Sequence, residues 1–142
     1  MKKLFLLLLL VFTLFANERD VIQAQILEKI FQNIEMHREI VLWSDNKNLL
    51  QEFEKSRRFR ITDDCHQATL LVVQEKKNLL KETCKKAVFV LDYALLQEIP
   101  ESFGSMFWKK GRPNVVLIES RTKQQNIKIT EELKMYVEEK IW

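Results

Sequence analysis

The chain has 142 residues, with 23 Lys or Arg against 20 Asp or Glu and a formal net charge of +3. Residues 1–16 contain Lys2 and Lys3 and no acid, so the remainder carries 21 basic against 20 acidic residues and is close to neutral. That balance argues against nucleic-acid binding, which draws on a concentrated basic face. A hydrophobic fraction of 46%, arriving in short blocks, excludes disorder.

Lys2 and Lys3 precede Leu4–Ala16, an apolar run whose single polar member is Thr13; the charged stretch Asn17–Asp20 follows. This is the pattern of a secretory signal peptide, with Ala16 at the cleavage position and Leu14 where a small residue is preferred. Crossing the hydrocarbon of a bilayer takes roughly 20 apolar residues, so the run is short for a span. Residues 1–16 are therefore expected to be a signal peptide and 17–142 a single periplasmic domain, the alternative being an uncleaved N-terminal anchor.

Ile22, Ile26, Leu27, Ile30, Phe31 and Ile34 predict a helix over about Val21–Met36. Ile40–Trp43 reads as a buried strand, after which Asp45 or Asn46 caps a helix carrying Leu49, Leu50 and Phe53. Arg58–Thr62 alternates like a half-exposed edge strand. Ala68–Val73 is a second buried strand, Lys76–Lys85 a helix, and Ala87–Leu91 a third buried strand. Strands alternating with helix-length segments predict βαβ crossovers.

Both glycines and both prolines fall within Pro100–Pro113, which concentrates special backbone geometry there. Ser105–Trp108 and Asn114–Ile118 are expected to be strands joined by a turn at Lys110-Gly111. A short helix over Arg121–Gln125 follows, then a final amphipathic helix capped by Thr130 that buries Leu133, Tyr136, Val137 and Ile141. The expected fold is a single compact three-layer α/β domain with a mostly parallel sheet and a C-terminal amphipathic helix, preceded by the signal peptide.

Cys65 and Cys84 are the two cysteines. In an exported protein an even count reads as a disulfide. Their bridge closes a loop of about 20 residues, for on the order of 3 kcal/mol. Their spacing is unlike that of thiol oxidoreductases or zinc knuckles. His66 stands beside Asp63, Asp64 and Cys65, but adjacent residues entering a strand point apart, and a bridged Cys65 cannot be a thiolate ligand. No metal site is expected.

Asp45 and Asp92 follow buried strands, where a doubly wound sheet turns its ligand-facing rim. They are the candidate ligand rim, although the favoured reading is that each caps the helix that follows it. Phe107, Trp108, Lys109, Lys110 and Arg112 form the densest aromatic and basic cluster. They are the candidate partner-binding residues, for an acidic partner or anionic headgroups. No phosphate loop, nucleophile elbow or His-Glu-x-x-His is present, so neither catalysis nor a cofactor is expected.

Three stretches carry a family resemblance: Phe103-Gly104-Ser105-Met106-Phe107, Val115–Ser120 and Asn126–Leu133. Cys65-His66 ahead of Ala68–Val73 adds to it. In order and type they resemble the YfiR/HmsC-like family of periplasmic regulators. Met36-His37 stands where that family has Trp-Pro, Asn126-Ile127 where it has Gly-Leu, and Glu119 where it has Asn. The resemblance implies a non-catalytic periplasmic α/β domain. Such a domain binds the sensory region of an inner-membrane enzyme of cyclic-di-GMP signalling, a diguanylate cyclase or a kinase. It further implies redox tuning through Cys65, with Cys84 its partner. The rival expectation is a small solute-binding domain that uses the rim.

Overall fold

The structure, a computed structural model, describes residues 18–79 and 86–141. The chain begins with helix α1 (residues 18–32), then β1 (Ile34–Glu35), β2 (Val41–Ser44), α2 (Lys47–Ser56), β3 (Arg60–Ile61) and β4 (Leu70–Val73). A 3-10 turn at Lys76–Asn78 precedes β5 (Ala87–Val90), α3 (Leu95–Glu98), β6 (Ser102–Lys109), β7 (Arg112–Ile118) and α4 (Glu119–Gln124). The last elements are β8 (Lys128–Ile129), a 3-10 helix (Glu131–Tyr136) and β9 (Val137–Glu138).

Seven strands form one sheet in the order β3-β2-β4-β5-β6-β7-β9. From β3 through β6 all neighbours are parallel, β7 turns back antiparallel to β6, and β9 runs parallel to β7. The fully buried run of β4 explains the parallel core. Leu70 and Val72 enter the cluster on one face, and Leu71 and Val73 enter the other. Leu27, Ile30 and Phe31 of α1 and Leu49 and Phe53 of α2 cover the first face; Leu95 and Leu96 of α3, with Ile99, cover the second. The result is a three-layer α/β domain with a mostly parallel sheet. No helix among the described residues is long and apolar enough to cross a membrane.

Three expectations need correction. Helix α1 ends at residue 32, not near Met36, because Ile34 and Glu35 pair antiparallel with Ile129 and Lys128 in a separate two-stranded sheet. The C-terminal amphipathic helix is absent. Glu131–Tyr136 makes 3-10 turns, then Val137 and Glu138 join β7 opposite Leu117 and Ile118. Thr130 does not cap with its side chain; its hydroxyl donates to Asn33 Oδ1 at 3.1 Å. Of the expected helix over Lys76–Lys85, the described part is a three-residue 3-10 turn, and residues 80–85 lie outside the described residues.

The β6–β7 hairpin is built by two backbone devices. Ser102 pairs with Val88 but Gly104 pairs with Phe89, so Phe103 is an extra residue in a β-bulge. At the tip, Lys110 (φ 52°) and Gly111 (φ 74°) are both left-handed between the paired Lys109 and Arg112, as a two-residue type I′ turn requires. Strand β5 pairs with β6 only as far as Ser105, and β9 meets β7 only at Leu117 and Ile118. The segment Met106–Val115 therefore projects beyond its neighbours. Pro113 sits in that projecting part, where β7 has no second neighbour to miss its N–H.

Candidate functional site

The strand order reverses between β2 and β4, and the carboxyl ends of these strands border the crevice where doubly wound sheets take ligands. Here the crevice is bridged by the protein's own groups. Asp45 Oδ1 accepts from the Gln74 N–H at 2.8 Å, and Oδ2 accepts from the Glu75 N–H at 3.0 Å and from Asn78 Nδ2 at 2.9 Å. Asn46 Nδ2 donates to Gln74 Oε1 at 2.7 Å, while Asn46 Oδ1 caps α2 by accepting from the Leu49 N–H at 3.1 Å. Asp45 thus ties the end of β2 to the loop after β4, and Asn46 is the cap of α2.

Asp92 closes a local turn, its Oδ1 accepting from the Ala94 N–H at 3.2 Å. Strand β4 lies between β2 and β5, so the two acids stand about 10 Å apart at the usual strand spacing. They are not brought together.

The hairpin belongs to the same end of the sheet, because β6 runs parallel to β5 and its tip passes Asp92. Phe107 packs edge-on against Tyr93 at 5.2 Å between ring centroids, on the α3 face. Trp108 faces the opposite layer, where the Arg19 guanidinium lies 4.4 Å from its ring centroid. The two aromatics therefore anchor the hairpin on opposite faces and form no single apolar patch. Lys109, Lys110 and Arg112 are exposed, and none has an ion-pair partner among the described residues.

Cys65 is disulfide-bonded; the sequence has one other cysteine, Cys84, which lies outside the described residues. The expected divergence of Cys65 and His66 is not observed. Residues 65–67 form a turn ahead of β4, and one ligand-type atom each from Asp64, Cys65 and His66 falls within 4.8 Å of the others. The Sγ of a disulfide is no thiolate, and His66 Nδ1 is engaged by Asp64 Oδ1 at 2.9 Å. The His66 backbone N–H, with its ring, holds the Asp64 carboxyl below its ordinary range.

Sequence reasoning missed three charged residues. Arg121 Nη1 donates to Leu96 O at 2.7 Å and to Ser102 O at 2.9 Å, latching the end of α3 to the start of β6; burial pulls its pKa down. Glu28 is buried in α1, accepting from the Ser56 hydroxyl with Arg58 Nε 3.6 Å away. Arg19 joins the hairpin through Trp108. Each looks like a solvated helix charge in sequence, and no local pattern marks the partners, which lie far along the chain.

A cleft of about 820 Å³ opens at the opposite, amino end of the strands, against Thr69, Ala87, Val88, Arg38 and Gln124. It contains none of the candidate residues. Leu79 and Lys86, which flank the undescribed 80–85, both line it. Comparison with known protein-family models and with curated proteins finds no match to this chain.

Proposed function

We propose that this is an exported, non-catalytic regulatory protein of the periplasm. It acts by protein–protein contact with the sensory region of an inner-membrane signalling enzyme of the cyclic-di-GMP type. The leader-like residues 1–16, the disulfide at Cys65 and the ordered resemblance to the YfiR/HmsC-like regulators support this setting.

One observation carries the contact reading. At the end of the sheet where a ligand would enter, Asp45 is used up by internal hydrogen bonds, whereas the neighbouring hairpin cations have no ion-pair partner among the described residues and face outward, toward a surface outside the chain. Solute binding at Asp45 and Asp92 has less support, since the first is already coordinated by backbone and the second stands two strands away. In-cell crosslinking of a tagged copy tests the proposal. Capture of an inner-membrane cyclase or kinase is the expected outcome. Thermal stabilisation of the purified domain by a small solute, with no protein captured, would overturn it.

A further inference from the structure

The amino end of α1 and the tip of the hairpin converge, which nothing in the sequence order suggests. Arg19 sits on Trp108, and the described chain begins one residue earlier, at Glu18. The apolar run Leu4–Ala16 therefore joins the domain at the hairpin end: Ala16 is three residues from Arg19, within roughly 11 Å even of fully extended chain. Ser102–Ile118 contains three cations and no acid. The acids at this end are Glu18 and Asp20 beside Arg19, Glu52 near Asp20, and Asp45, Glu75 and Asp92 at the rim below the tip. The tip stands beyond the rim, since Lys109 lies about 13 Å past Ser105 along the strand.

We propose that the hairpin tip, through Lys109, Lys110 and Arg112 with Arg19 behind them, docks on an anionic lipid surface and holds this end of the domain toward the bilayer. While the leader is attached, it brings the same end to the membrane. The proposal rests on the export reading for its setting and not on the identity of the protein partner, whose contact it orients.

Each basic residue close to an anionic surface is worth roughly fivefold in binding, so the three tip cations together supply about a hundredfold. The test is flotation of the processed protein, recovered from the exported fraction, with phosphatidylcholine vesicles lacking or containing phosphatidylglycerol. Binding to the anionic vesicles alone, weakened by salt, is expected. The combined variant Lys109→Gln, Lys110→Gln, Arg112→Gln should lose roughly a hundredfold in vesicle affinity while keeping its melting temperature. Equal binding to both vesicle types, or undiminished binding by the folded variant, would overturn the proposal. Salt-independent binding by the wild type would overturn it without any variant. Self-association or capture of an acidic peptide through the tip, with no vesicle preference, would also overturn it. Vesicle binding without capture of any membrane enzyme in cells would sink the regulatory reading and leave this one standing.

Discussion

The rim and the hairpin share one end of the sheet but treat their charges oppositely. At the rim, Asp45 accepts three hydrogen bonds and Asn46 both caps a helix and reaches across to Gln74. At the hairpin, Lys109, Lys110 and Arg112 are held out on a two-residue turn with no acid in either strand. Polar groups satisfied internally shape the fold, while groups left without an internal partner are available to something outside it. On the proposals above, the rim is architecture and the tip is the contact surface.

The largest expected effect comes from breaking the root of the hairpin. A Cβ at Gly104 would lie 2.8 Å from Leu117 Cδ2 and from Phe89 Cε2, and 2.9 Å from the Val116 carbonyl oxygen. Gly104→Ala should cost about 3 kcal/mol in a denaturant melt and weaken vesicle binding as well, because it displaces β6 beneath the tip. Asp45→Ala comes next. Three donors lose their acceptor, and stability should fall by about 1–2 kcal/mol with vesicle binding unchanged. A loss of binding in a folded Asp45→Ala protein would erase the contrast between the two regions.

Arg19→Ala removes the cation from the Trp108 face and should cost about 0.5 kcal/mol, with a loss of vesicle affinity of roughly fivefold. The smallest effect concerns Asp64, an internally bonded acid like Asp45. Its carboxyl titrates low because it accepts from His66, so its stabilisation is fully present above about pH 4 and is lost as pH falls through its depressed folded value. Asp64→Asn should lower stability slightly at neutral pH, flatten the acid limb of the stability–pH curve over that range, and leave lipid binding alone.

The strands of the parallel core were legible because Leu70–Val73 and Ala87–Val90 are buried on both faces, which leaves a run of β-branched and apolar residues with no polar alternation. The hairpin was legible because Lys110-Gly111 is a turn signal between two such runs. The tail was not. Leu133, Tyr136 and Val137 fit a helical stripe, but the open edge of β7 recruits Val137 and Glu138 into a strand. Ile34 is likewise drawn from the end of α1 by Ile129, a partner far along the chain. Local pattern has no access to either pairing.

Of the candidate residues, Phe107 and Trp108 read as one cluster in sequence because they are adjacent. Adjacency in a strand is what sends them to opposite faces, one onto Tyr93 and one under Arg19. The same rule failed for Cys65 and His66, which occupy a turn and converge.

The most direct test is to float Asp45→Ala and the combined Lys109→Gln, Lys110→Gln, Arg112→Gln variant side by side with phosphatidylglycerol-containing vesicles. The account predicts that the rim variant binds like wild type and the tip variant remains in the soluble fraction. The opposite pattern, or equal behaviour of the two folded variants, would contradict it.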